Sequence, residues 1–181
     1  MAEEYMVKGI ALRTKFEYVK DHRGAAADQS FRAGFAHRKD LMPLLDSSWY
    51  PFALYDEVIR GIATRFFGGQ LSGLREVGVT SAEKALTTVY RSFARSGDVA
   101  GFFERIGLLY QTYYNLGQMK PELEKSGNGC GVVLSGAPVF SPADLEITAG
   151  FFLGACRLLG KPQARCSHHS SKDMVRYELR W

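Results

Sequence analysis

The stretch Ser141–Gly160, SPADLEITAGFFLGACRLLG, leads toward a closing segment, MVRYELRW, at Met174–Trp181, and the two together decide the fold. Ser141 is placed to accept a hydrogen bond from first-turn amides, Pro142 suits the first helical position, and Asp144 complements the positive end of the helix. Leu145, Phe152, Ala155, Cys156 and Leu159 recur at helical spacing, and Gly160 supplies the left-handed residue that closes such a helix. In the closing segment Val175, Tyr177, Leu179 and Trp181 alternate with Arg176, Glu178 and Arg180. One face is apolar and the other charged, so this strand of a C-terminal hairpin must be covered on one side.

Upstream, Cys130–Leu134 is a β-branched run that reads as a strand and is broken by Gly136-Ala137-Pro138. The glycine-rich Gly127–Gly131 precedes a strand instead of opening a helix, so it reads as a hairpin turn and not as a phosphate loop. Gly117–Gly129 is polar and turn-rich. Before it, Val99–Leu116 reads as one helix that is apolar on more than one face, and it is expected to be central or to line an interface. Ser81 is expected to cap a helix whose stripe of Ala82, Ala85, Leu86, Val89, Tyr90 and Phe93 stops at Gly97.

Nearer the N-terminus, Met6–Ile10 is a short apolar opening to a helix that carries Leu12, Phe16 and Val19 and ends at Gly24. A second helix is expected over Asp28–Phe35. Ser47–Pro51 is extended, because a residue before proline is pushed out of helical geometry, and Pro51 opens a third helix striped by Tyr55, Val58, Ile59, Ile62 and Phe66. Helices first, then a sheet interrupted by one helix, is the order of an α+β fold. An N-terminal helical layer packs on a small antiparallel sheet, with one helix inserted before the C-terminal hairpin, and Met6–Ile10 is a candidate to join that sheet.

The 181 residues suit one domain, and 46% hydrophobic with 23% charged residues is globular composition. No run approaches the roughly 20 apolar residues of a membrane span, and the start at Ala2-Glu3-Glu4 lacks the features of a signal peptide, so a cytoplasmic protein is expected. Cys130, Cys156 and Cys166 are too few and too scattered for a disulfide framework and read as reduced core thiols. The net charge of +4 is spread along the chain beside acids, as in Lys15-Phe16-Glu17, and the longest basic cluster, Arg32–Lys39, ends at Asp40. No nucleic-acid partner is expected.

Cys166, His168 and His169 form the sulfur–imidazole cluster of the chain. Strand alternation puts Cys166 and His168 on one face, two ligands where structural zinc takes four; further ligands would have to come from Cys130, His37 or another subunit. An ordinary hairpin is the better reading, and no metal is expected. No motif places a nucleophile on a defined turn, so the chain is not read as an enzyme.

Several short motifs resemble known families. Val7-Lys8-Gly9-Ile10 with its following helix, and Arg75-Glu76-Val77-Gly78, resemble segments of heme nitric-oxide/oxygen-binding domains. Cys166, the turn at Ser170–Asp173 and Tyr177–Trp181 resemble the terminal hairpin of the 4-vinyl-reductase-like domain, which shares a structural superfamily with small subunits of the Golgi-transport tethering complex. Trp49-Tyr50-Pro51-Phe52 resembles a myxobacterial paralogous family within that superfamily. The resemblance implies a single heme-NO-binding-like (4-vinyl-reductase-like) domain over residues 1–181. It implies heme only where a histidine on a central helix holds the iron; Val99–Leu116 contains none, the expected position falls near Leu109 or Tyr110, and the Tyr-x-Ser-x-Arg propionate clamp is missing. The 4-vinyl-reductase-like pattern has a second cysteine after the hairpin turn, where this chain has Met174 and Val175. No cofactor is therefore expected.

Two functional readings use the aromatic helix. In one, the chain is a non-catalytic regulatory or adaptor domain acting through a protein partner or a homodimer interface, with that helix, or Trp49, Tyr50, Pro51 and Phe52, presenting an apolar patch. In the other it is a sensor, and a pocket between Phe102, Phe103, Ile106, Tyr110 and Tyr114 and the sheet takes a small apolar ligand.

Overall fold

The computed structural model describes residues 4–35, 43–94 and 97–181. The basic cluster's His37, Arg38, Lys39 and Asp40, and the initial Ala2 and Glu3, lie outside the described residues. The described chain is α+β, with helices α1 (Gly9–Arg23), α2 (Ala25–Ala33), α3 (Phe52–Phe66), α4 (Leu74–Thr87), α5 (Val99–Glu104), α6 (Ile106–Tyr113) and α7 (Pro142–Leu158). Its strands are β1 (Met6–Lys8), β2 (Trp49–Pro51), β3 (Gln118–Leu123), β4 (Gly129–Ser135), β5 (Arg165–Ser170) and β6 (Met174–Arg180). β3 to β6 make one antiparallel sheet in the order β3-β4-β6-β5. β1 pairs with β2 in a separate ribbon, so the opening strand does not join the main sheet.

The decisive segment forms as its sequence requires. Ser141 accepts from the Asp144 amide, Pro142 occupies the first turn of α7, and Gly160 sits at φ +84° just past its end. Val175, Tyr177 and Leu179 of β6 are fully buried, opposite Leu134, Val132 and Cys130 of β4. Trp181 stacks on Phe103 at a centroid distance of 5.5 Å.

Two apolar clusters result, and α7 serves both. Leu145, Ala149, Phe152, Ala155 and Cys156 face the sheet with α5 and α6, while Ala143 and Ile147 face the core built by α1, α2 and α3. The central helix is therefore α7. The expected Val99–Leu116 helix is split at Arg105, whose guanidinium takes the Gly101 carbonyl (2.8 Å) and those of Ser92 and Phe93, and whose amide bonds back only three residues. Its outer side is exposed, with Leu108 at 63%.

Three other expectations change. Ser81 lies inside α4 instead of capping it, and its hydroxyl donates to the Val77 carbonyl at 2.8 Å. That helix ends at Thr87, which leaves Val89 exposed. β3 runs through the stretch that reads as turn-rich, because Pro121 removes a donor that an edge strand can spare.

α4 and α7 pack closely, backbone against backbone. A methyl group at Gly78 would overlap the Ile147 carbonyl, one at Gly150 the Arg75 carbonyl, and one at Gly154 the Val79 carbonyl. Backbone meets backbone at these positions, where no side chain can yield. The Gly150→Ala substitution is expected to destabilise the fold by roughly 1–3 kcal/mol, the usual penalty for overpacking. A lowered urea midpoint with an unchanged slope is the readout.

Candidate functional site

A cavity of about 60 Å³ lies at the seam between the two cores. Its wall draws on α1 (Ala11, Thr14, Lys15), α3 (Tyr55), α4 (Ser81), α6 (Ile106, Leu109, Tyr110, Tyr113), β3 (Met119) and α7 (Ile147, Thr148, Phe151), with Tyr114 just past α6. That volume has room for roughly four or five waters or one very small molecule. Tyr114 also lines a wider outer groove with Gln111, Asn115 and Gln118.

Lys15 is the unusual member of the wall, a lysine only 3% exposed. It falls on the face of α1 that carries Ala11, Leu12 and Val19, which packing holds against the core. Nζ donates to Ser81 Oγ at 2.8 Å and to Thr14 Oγ1 at 3.4 Å, and lies 5.8 Å from the Tyr55 ring centre. Both hydroxyls direct their own protons to helix carbonyls, of Val77 and Ala11, so they accept from the lysine. Burial lowers the amine to about 8, and the negative charge of Asp144 opposes that shift.

Asp144, in the first turn of α7, is the buried counterpart. Tyr114 donates to its Oδ1 at 3.0 Å and Tyr55 provides a second hydroxyl. Burial nonetheless pushes the carboxyl up to about 6, against the pull of those hydroxyls and of Lys15. Tyr110 stacks on Tyr114 with centroids 4.7 Å apart, donates to the Leu116 carbonyl at 3.0 Å, and lies 3.1 Å from the Tyr5 hydroxyl. The Tyr113 hydroxyl is different: it is buried and has no hydrogen-bond partner among the described residues.

Of the pocket residues named from sequence, Ile106, Tyr110 and Tyr114 line the cavity, whereas Phe102 and Phe103 are fully buried behind it, Phe103 against Phe152 and Trp181. Of the proposed surface patch, Tyr50 and Phe52 are buried at 6% and 5%, Pro51 is half-buried, and Trp49 is exposed with Lys8 Nζ 4.0 Å above its ring. Cys166 is buried, and His168 contacts Glu146 at 3.1 Å, a carboxylate shared with Arg75. No group of three or more metal-ligating side chains occurs among the described residues. Burial raises the Cys130 thiol to about 11 and those of Cys156 and Cys166 to about 12, the opposite of what a thiolate nucleophile needs. Lys15, Thr14, Ser81 and Tyr113 escape a reading by motif. The signal that finds Lys15 is a lysine three residues from Leu12 and four from Val19, inside an apolar stripe.

The sequence matches no protein-family model and no curated protein. Solved structures do match its shape. A crystal structure of an H-NOX protein from S. oneidensis in the Fe(II)NO ligation state superposes with a TM-score of 0.74 at 13% identity, over 95% of this chain and 97% of that one. An unliganded Fe(II) H-NOX variant from K. algicida gives 0.69 at 13% identity, over 96% and 95%. A chain solved in work on heme redox potential and porphyrin distortion gives 0.71 at 9% identity, over 96% and 99%. The chain has the H-NOX fold.

Heme, which such folds imply, does not fit the residues of this H-NOX-like chain. The cavity offers about 60 Å³, against roughly 300–1,000 Å³ for pockets that enclose drug-sized ligands. No histidine lines it, and the hydroxyl of Tyr110 is engaged by Leu116 and Tyr5. Burial, reinforced by Asp144, holds that phenol well above its ordinary range, away from the phenolate that iron would require. Four tyrosines stand around the space instead, Tyr55 and Tyr110 buried and Tyr113 and Tyr114 half-buried.

Both buried charges should show in stability against pH. Asp144 has a folded-state value raised from 3.8 to about 6, so its contribution is full below about pH 4 and is lost as pH rises through 6. Lys15 is lowered from 10.5 to about 8, so stability is regained between pH 8 and 10.5. Denaturant titrations are expected to show the Asp144→Asn variant gaining on the parent from pH 4 to 7, and the parent gaining on Lys15→Met above pH 8.

Proposed function

We propose that this domain is a sensor that takes a small, mainly apolar ligand into the seam cavity in place of heme. The observation that carries the reading is the Tyr113 hydroxyl, buried and without a hydrogen-bond partner among the described residues, on a tyrosine that lines an otherwise mostly apolar cavity. A buried hydroxyl without a partner is unfavourable by roughly 1–3 kcal/mol, and a ligand that accepts from it recovers that energy only when bound. The fold supports the reading, since the matched H-NOX structures include one in a nitric-oxide-ligated state.

The site is a binding site and not a catalytic one in this reading. Its output passes to a partner protein or a second copy, in keeping with a regulatory or adaptor role. α6 is placed to transmit it: Leu109, Tyr110 and Tyr113 line the cavity on its inner side while Leu108 stands in solvent on its outer side. Trp49 adds a second exposed apolar contact. No helix among the described residues is long and apolar enough to cross a membrane, which fits a domain that meets its ligand in the cytoplasm.

Native mass spectrometry of protein purified from its own host, followed by thermal-shift titration with propan-1-ol and other small oxygenated compounds, tests the proposal. One retained small molecule per chain, or saturable stabilisation, is expected. The Tyr113→Phe variant should bind roughly 2–10-fold more weakly, the loss of one hydrogen bond. Ala11→Leu, which fills the cavity from α1, should abolish binding. A Soret band that persists through purification would overturn the reading, as would titrations in which the parent and Ala11→Leu respond alike.

A further inference from the structure

We infer that Lys15 is a covalent capture site, at which a short-chain aldehyde or ketone entering the seam cavity condenses with the ε-amine to form an imine. This rests on the sensor reading and names the ligand class.

The geometry around Nζ carries the inference. A neutral amine has two N–H donors and one lone pair, and two acceptor hydroxyls, Ser81 and Thr14, are in place for the donors. The lone pair is then the remaining valence of the nitrogen of a residue that lines the cavity. Lys15 makes no ion pair within 4 Å among the described residues, so no salt bridge holds it in the charged form. A lysine buried in apolar surroundings is costly unless something uses it, and methionine would fill the same space.

Protonation supports the geometry. With the amine lowered to about 8, roughly a tenth is neutral at pH 7, against well under a thousandth for a surface lysine. Desolvation is the established way to make a lysine nucleophilic toward carbonyl carbon. The cavity accepts a molecule of roughly three to five heavy atoms, and the Tyr113 hydroxyl provides a donor for the carbonyl oxygen.

The step balances without a further reactant. The Nζ lone pair attacks the carbonyl carbon, the C–N bond forms as the C–O π bond breaks, and the oxygen takes up a proton as the nitrogen loses one. The carbinolamine then expels water, with the hydroxyl leaving as a second proton leaves nitrogen for it, to give the C=N bond. The hydroxyls of Ser81 and Thr14 are within reach of Nζ to relay these protons. Capture is reversible by hydrolysis, as a sensor requires.

The test uses the full chain with propionaldehyde and sodium cyanoborohydride at pH 7, read by intact mass and peptide mapping. Peptide mapping is expected to find one propyl group at Lys15, apart from any at the α-amino group, forming at least about tenfold faster than at the exposed Lys20, Lys161 and Lys172, as the difference in neutral fraction requires. Lys15→Met should lose the preferred adduct with its circular dichroism unchanged. Ala11→Leu, which keeps the lysine but fills the space, should slow labelling of Lys15 about tenfold. Labelling spread evenly over surface lysines in the parent protein overturns the inference whether or not either variant folds. Saturable binding of propan-1-ol without a Lys15 adduct overturns the covalent step alone, and absence of both overturns the sensor reading as well.

Discussion

The structure depends on one close crossing, where α4 and α7 touch backbone to backbone through Gly78, Gly150 and Gly154. Three glycines and the carbonyls facing them leave no slack, so the two helices have one separation and one register. Arg75 fixes the other end of the contact through Glu146 on α7 and the Cys166 carbonyl on β5. Because α7 also carries Leu145, Phe152 and Cys156 into the sheet-side core, the crossing joins the helical layer to the sheet. Ser81 on α4, and Ile147, Thr148 and Phe151 on α7, are thereby brought to the cavity wall.

Tyrosines decide what that cavity is. The space is lined by Tyr55, Tyr110, Tyr113 and Tyr114, and three of their hydroxyls are committed to Asp144 or to the Leu116 carbonyl. What remains is small, apolar on most sides, and lined by one lysine and by one tyrosine whose hydroxyl has no partner among the described residues. Asp144 and Lys15 lie close enough to influence each other's protonation without a direct ion pair, so each keeps part of its desolvation penalty.

The motifs that carried the family resemblance have physical explanations in the structure. Gly9 in Val7-Lys8-Gly9-Ile10 lies where any side chain would strike the Leu45 carbonyl and the Tyr50 ring. In Arg75-Glu76-Val77-Gly78 every residue has a structural use: Arg75 ties to Glu146, Glu76 accepts from the Tyr18 hydroxyl at 2.5 Å, Val77 is fully buried, and Gly78 makes the helix crossing. They are packing motifs, so they identify the fold without requiring its cofactor. Trp49-Tyr50-Pro51-Phe52 is of the same kind, since Tyr50 anchors the Leu45 amide at 2.9 Å and Phe52 stacks with Tyr5.

The sequence by itself determined the elements whose signal is local: the Ser141-capped helix, the alternating final strand, the glycine turn before Cys130, and the absence of a histidine on the aromatic helix. Capping, alternation and turn chemistry act over a few residues and are written there in full. Tertiary structure decided the rest. It broke Val99–Leu116 at Arg105, made an edge strand through Pro121, and placed Ser81 inside α4 instead of at its start. It also decided the site, because Lys15 and Ser81 are 66 residues apart and Tyr5 and Tyr110 are 105 apart, and only the packing of α1, α4, α6 and α7 brings such partners within hydrogen-bond reach. No periodicity along one segment records which distant segment its buried lysine will meet.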